Sequence, residues 1–280
     1  METIPFVKMH GAGNDFVIFD GRTRSLPDVT RAFSQRLADR RLGIGCDQLV
    51  IIRQANDPTA IARVEFRNAD GSSAEMCGNG IRCVGAHLLA AEPIPTPFRL
   101  ETEQRIVSID RHDGILSVDM GQPRFQPAEI PTTLSGDMIQ QSLKLSDGTA
   151  IDCSLISMGN PHCVAFVDSR ARLAMATSHG PLVEIAPHFP RRINSEWAYV
   201  ADRKTIISRV WERGAGETLA CGSGACAIGV AALSRGLVDS PVAIDMPGGR
   251  LSVTWHPGST VQLSGPTAHV FSGNYLMIQD

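Results

Sequence analysis

Two cysteines occupy nearly the same setting, 144 residues apart: Met76-Cys77-Gly78-Asn79-Gly80 and Ala220-Cys221-Gly222-Ser223-Gly224. Each opens an apolar stretch rich in Ala and Gly that reads as a buried helix. A free thiol titrates near pH 8.5, and a helix N-terminus can bring it to roughly 3.5–7.5. The glycines after each cysteine let backbone N–H groups converge, which with the helix dipole makes an anion site. A carboxylate held between two such helix ends would have its α-carbon flanked by two sulfurs. One sulfur, as thiolate, could remove the α-proton while the other, as thiol, returns a proton from the opposite face and inverts the centre. No pyridoxal cofactor is needed if those N–H groups stabilise the carbanion-like transition state. Acid–base catalysis supplies a factor of only about 10² to 10⁴. Exclusion of water and preorganised donors must provide most of the remainder.

The elements that carry these residues repeat. Gly85 and Gly229 keep the offset of the cysteines, and His10-Gly11-Ala12-Gly13-Asn14-Asp15-Phe16 corresponds to Met158-Gly159-Asn160-Pro161-His162-Cys163-Val164. The spacing predicts many strands and three helices: 30–40, 79–91 and 223–235. In the first, Phe33 and Leu37 share a face. The third is apolar or small on every side and is therefore buried all round. Asp113-Gly114 and Gly248-Gly249 read as hairpin turns. The proline-containing stretch 122–136 reads as the crossing between halves. The expected fold is α+β: two pseudo-symmetric domains, each a mostly antiparallel sheet curled around one buried helix.

Composition excludes several classes. The chain is 43% hydrophobic and 20% charged with net charge −3, so no basic field attracts nucleic acid or an anionic membrane. The N-terminal stretch has no signal-peptide pattern, and no run approaches the roughly 18 apolar residues of a membrane span. Seven cysteines is an odd number in a chain large enough to build its own core, so a reducing cytoplasm is expected rather than a disulfide framework. Neither Cys77/Cys83 nor Cys221/Cys226 has zinc spacing, and no metal is expected. Cys46, Cys83, Cys153, Cys163 and Cys226 read as inert packing.

Six motifs in order cover essentially the whole length: Gly11-Ala12-Gly13-Asn14-Asp15-Phe16, Gly43-Ile44-Gly45-Cys46-Asp47-Gln48, Asn68-Ala69-Asp70-Gly71-Ser72, Cys77-Gly78-Asn79-Gly80-Ile81-Arg82-Cys83, Gly159-Asn160-Pro161-His162, and Glu212-Arg213-Gly214-Ala215-Gly216-Glu217-Thr218 leading into Cys221-Gly222-Ser223-Gly224. In these the chain resembles the diaminopimelate epimerases, a cofactor-independent two-cysteine group. The resemblance implies domains at 1–121 with about 267–280, and at 122–266, with the active site in the cleft between them. It implies Cys77 as proton donor and Cys221 as acceptor, exchanging roles in reverse, with His162 and Glu212 setting the thiols' protonation. Gly78, Asn79, Gly222 and Ser223 match the positions that hold the reacting carboxylate. Asn14, Gln48, Asn68, Asn160, Asn194, Glu212 and Arg213 match the substrate contacts. These types suit a doubly zwitterionic molecule: Arg213 can fork onto a carboxylate and Glu212 can take an ammonium.

The implied activity interconverts LL- and meso-2,6-diaminopimelate, for lysine and cell-wall precursor synthesis, without a cofactor. Two departures stand out. Ser195-Glu196-Trp197 follows Asn194 where a smaller or more aliphatic run is expected, near the ligand's distal end. Phe271 stands where the family's homodimer contact has a tyrosine, so dimer affinity is in question. Alternatives are a racemase of proline or another amino acid, a silent amino-acid-binding module and a thiol redox protein. Proline racemases usually show His at the position of Asn79 and need no distal-carboxylate arginine, so Asn79 and Arg213 favour the first reading.

Overall fold

A computed structural model describes residues 3–74 and 76–277. The first elements are β1 (Thr3–Gly11), β2 (Asn14–Asp20), α1 (Arg31–Ala38), β3 (Gln48–Arg53), β4 (Ala62–Asn68), β5 (Ser73–Ala74) and α2 (Gly78–Ala91). Next come β6 (Phe98–Glu101), β7 (Ile106–His112), β8 (Ile115–Asp119), β9 (Gln141–Lys144), β10 (Ala150–Ser157) and β11 (Pro161–Val167). A 3-10 turn (Arg170–Ala174) runs into α3 (Met175–Glu184), followed by β12 (Asn194–Asp202), β13 (Thr205–Glu212), β14 (Gly216–Thr218) and α4 (Gly222–Ser234). The last are β15 (Val242–Met246), β16 (Gly249–Thr254), β17 (Gln262–Gly265) and β18 (Ala268–Leu276).

Two compact units result. One holds the described residues to 118 and from 265 onward, the other residues 119–264. In the first unit the strand order is β18-β1-β2-β3-β4-β6-β7-β8, antiparallel except for β2–β3 and β4–β6. In the second it is β9-β10-β11-β12-β13-β15-β16-β17, antiparallel except for β11–β12 and β13–β15. The same order, with parallel pairs at the same steps, occurs in both. The fold is α+β, as the strand-rich pattern with few helices predicts.

Each unit wraps its sheet around one helix. Helix α4 is buried from Gly224 to Ala232 and packs on β10, β11 and β12 as well as on β15 and β16. A straight helix touches strands that far apart in the order only if the sheet curls around it. Helix α2 lies against β1 and β2, with Gly85 against Ile109 of β7. A Cβ on Gly229 would lie 2.7 Å from Val253, and one on Gly85 would lie 3.1 Å from Ile109. The differences 229 − 85 and 253 − 109 both equal 144, so each repeated glycine marks a repeated helix-to-strand approach.

Some elements depart from the sequence reading. Helix α3 lies outside the three expected helices, because Gly180 and Pro181 interrupt its apolar period. Gly180 is small because Trp211 packs on it; a Cβ there would meet the Trp211 Cβ at 2.6 Å. The stretch 122–136 belongs to the second unit, where Arg124 bridges Ser157 and Ile130 enters the core. The β15–β16 turn falls on Pro247-Gly248, one residue earlier than expected, since Met246 pairs with Gly249.

Candidate active site

In the first unit the β1–β2 hairpin turns on Ala12-Gly13, both in the left-handed region (φ 52° and 82°), and so places Asn14 at the start of β2. Cys77 is the N-cap of α2, with extended backbone (φ −109°, ψ 115°). Its Sγ lies 3.5 Å from Asn14 Oδ1, and Asn79 Nδ2 donates to the same oxygen at 3.5 Å. Gln48 and Asn68 are direct cross-strand partners, and Gln48 Nε2 donates to Asn68 Oδ1 at 3.0 Å. Gln48 Oε1 is buried without a hydrogen bond from the described residues, an acceptor for a ligand's N–H or O–H. Gly80 lets α2 approach the sheet: a Cβ would sit 2.5 Å from the Phe66 ring.

The second unit builds a matching half. Cys221 caps α4, again with extended backbone (φ −122°, ψ 117°), and its Sγ accepts from the Gly224 N–H at 3.3 Å. Ser223 Oγ lies 3.5 Å from that sulfur. Asn160 Nδ2 donates to Ser223 Oγ at 3.2 Å, while Asn160 Oδ1 meets His162 Nε2 at 2.9 Å. Asn194 pairs in register with His162; its amide donates to Pro161 O at 2.8 Å and accepts the Arg213 N–H at 2.9 Å. The Arg213 side chain is exposed and reaches Arg191 O. Glu212, at the end of β13, accepts from Thr218 Oγ1.

The electrostatics of Cys221 reverse one expectation. A helix N-terminus by itself lowers a thiol's pKa. Here burial, then the negative charges of Glu212 and Glu196, push the Cys221 thiol well above its usual range, and the donors Ser223 and Gly224 only partly offset this. Burial also raises the Glu212 carboxyl, against the hydrogen bonds from Thr218 and Cys221. Both shifts favour the protonated forms, of the Cys221 thiol and of the Glu212 carboxyl beside it. Burial pushes Cys46 and Cys83 up to about 12, and Cys163 rises through its contact with Cys153 and burial.

The expected residues thus fall into two clusters. Asn14, Gln48, Asn68, Cys77, Gly78 and Asn79 belong to the first unit; Asn160, His162, Asn194, Glu212, Arg213, Cys221, Gly222 and Ser223 belong to the second. Glu196 is an addition. The reading of Ser195-Glu196-Trp197 as an altered approach to the strand gave it no partner. In the structure Glu196 is fully buried, and its Oε1 lies 2.7 Å from His162 Nδ1. Its carboxylate also explains Gly224, where a Cβ would stand 2.9 Å from that oxygen. The available signal was its period-two spacing from Asn194, which puts both on one face of β12. Glu184, at the end of α3, accepts from Trp211 Nε1 at 2.7 Å and from the Gly214 N–H at 3.0 Å, bracing the turn that carries Glu212 and Arg213. No group of three or more metal-binding side chains occurs among the described residues.

Comparison with known proteins gives consistent matches. The profile of one family, described as diaminopimelate epimerase, matches residues 6–126 and 154–270. The diaminopimelate epimerase of Pseudomonas savastanoi pv. phaseolicola is 44% identical over 271 residues, covering 96% of this chain and 97% of the relative. That of Azotobacter vinelandii is 42% identical over 271 residues, with the same coverages. Among solved structures, a hydroxyproline epimerase from Agrobacterium vitis superposes with a TM-score of 0.68 at 14% identity, covering 97% of this chain and 92% of that one. A phenazine biosynthesis protein of the PhzF family from Enterococcus faecalis superposes with a TM-score of 0.71 at 11% identity, covering 99% and 100%. At these identities the structural matches speak to the fold alone.

Proposed function

This chain belongs to the diaminopimelate epimerase family, and on that premise we propose that it interconverts LL- and meso-2,6-diaminopimelate by two-base proton transfer between Cys77, Cys221 and one α-carbon. It is an isomerase of the epimerase class. The observation that carries the two-base reading is the duplicated setting of the thiols. Each caps a buried helix, and each is linked to an asparagine at the start of an equivalent strand, Cys77 directly to Asn14 and Cys221 through Ser223 to Asn160.

In this scheme one thiolate takes the α-proton and the other cysteine's S–H supplies its replacement, so atoms and charge balance and the reverse reaction exchange the roles. Glu212 receives the Cys221 proton when that sulfur is to act as base. His162, anchored by Glu196, orients Asn160 and through it Ser223. Backbone N–H groups of the first turns of α2 and α4 take the reacting carboxylate and the charge that develops beside it. Gln48 Oε1 supplies an acceptor for the substrate, and Arg213 takes the distal carboxylate. No cofactor takes part. We place the reaction in lysine and peptidoglycan precursor synthesis in the cytoplasm, where the seven free thiols stay reduced. Two copies pair through β18, whose Val270, Phe271 and Leu276 are exposed.

The test is incubation with LL-diaminopimelate in deuterated water without added cofactor. The expected result is meso product carrying deuterium at one α-carbon, with turnover abolished by Cys77→Ala or Cys221→Ala. Full turnover by either variant sinks the two-base scheme; absence of isotope exchange in the unmodified protein sinks the substrate assignment.

A further inference from the structure

Asn14 stands between a charged acceptor and the end of a chain from a charged donor. Its Nδ2 donates to Asp47 Oδ2 at 2.9 Å. A carboxylate only accepts, so the amide nitrogen must be the atom facing it. On the other side, Arg82 Nη2 donates to Asn79 Oδ1 at 2.7 Å. A guanidinium only donates, so Asn79 turns its own nitrogen away, and that Nδ2 meets Asn14 Oδ1 at 3.5 Å. The two constraints come from different charged residues and agree on one orientation. Asn14 presents its oxygen, an acceptor, to the Cys77 sulfur 3.5 Å away. A thiol donates there; a thiolate would face carbonyl lone pairs.

Asp47 is well placed to hold this arrangement. Its Oδ1 is 2.7 Å from Arg40 Nη2, and its Oδ2 also accepts the Asp15 N–H at 3.1 Å. Cys221 lives differently, since its sulfur accepts from the Gly224 N–H. We propose that Asp47 is a positioning residue: by fixing the Asn14 amide with its oxygen toward Cys77, it favours the protonated form of that thiol through a contact that Cys221 does not have. The inference rests on reading Cys77 as a proton carrier in the proposed reaction. It adds a difference between the two settings that the duplicated sequence does not contain.

Alkylation of the reduced, full-length protein by iodoacetamide tests it, followed at each cysteine by peptide mass spectrometry across pH. The rate follows the thiolate fraction. Asp47→Ala removes the charged one of the two direct holds on the Asn14 amide and leaves only the longer contact with Asn79, so its oxygen is held less firmly toward the sulfur. The half-point of the Cys77 profile should then move to lower pH, raising its rate at neutral pH about fivefold, the scale of one hydrogen bond. The high-pH plateau, which reports access, and the Cys221 profile should both stay put. Asn14→Leu removes the acceptor while keeping bulk and should move the half-point the same way. An unmoved half-point in Asp47→Ala, or in Asn14→Leu if the first variant does not fold, overturns the proposal, as does a rise confined to the plateau. Alkylation needs no substrate, so a protein inert toward diaminopimelate would refute the functional reading without touching this result.

Discussion

Glu196 and His162 form a fully buried pair close to Cys221 in the second unit. A buried carboxylate is tolerated when it is paired and hydrogen-bonded. Its Oε1 meets the imidazole at 2.7 Å, whereas its Oε2 has no hydrogen bond from the described residues. Its negative charge pushes the Cys221 thiol up, after burial and Glu212, and likewise adds to the rise at Glu212. Glu196→Gln removes that charge with little change of shape. The group that must lose its proton to act as base should then do so more easily, and the acid limb of the kcat/KM profile should move to lower pH. A pH–rate profile checks this, and an unmoved limb would show that Glu196 serves packing alone. Family resemblance brought His162 into view but not its partner, because a glutamate in a strand-like run reads as solvent-facing until the strand's neighbours are known.

Elements position these groups through close approach. The two central helices bring their first turns to the strand ends because Gly80 fits under Phe66 and Gly224 fits against Glu196. Farther along, Gly229 lies against the branched Cβ of Val253, which cannot swing aside, while Gly85 meets the flexible Cδ1 of Ile109. Gly229→Ala should therefore cost about 1–3 kcal/mol of stability as an overpacked core site, and Gly85→Ala clearly less. Urea denaturation of both variants measures the difference, and equal losses would refute the packing account. The helices themselves were legible from sequence: a run without a polar face and a repeat of Cys and Gly at one offset are local signals. Helix α3 was not legible, since Gly180 and Pro181 argue against a helix in isolation and only contact with Trp211 makes a small residue useful there.

Across the molecule, strongly depressed carboxylates govern acid stability. Burial alone would raise Asp20, but hydrogen bonds from His87 and Arg22 outweigh it and hold the carboxyl well below its ordinary value of 3.8. Asp15 is lowered likewise, with Arg40 and Lys8 overcoming burial. A group whose folded pKa is depressed stabilises the fold fully above its unfolded value and loses that contribution as pH falls through the folded one. Asp20→Asn should thus melt a few degrees below the parent at pH 7. The gap should shrink as pH falls below the ordinary value of 3.8. A gap independent of pH would mean that the side chain acts through shape alone.

What the amino-acid sequence determined by itself was the duplicated setting of the two thiols and the type of the elements that carry them. Thiols before glycine-rich apolar runs, turn glycines and strand periodicity are written within a few residues, so local physics reads them directly. Tertiary structure alone decided which groups meet. The His162–Glu196 contact follows from the parallel register of β11 and β12, and the Asn14–Asp47 contact from that of β2 and β3. Register depends on how whole sheets bury their apolar faces, and residues 33 or 34 positions apart carry no mark of their pairing until that burial has been chosen.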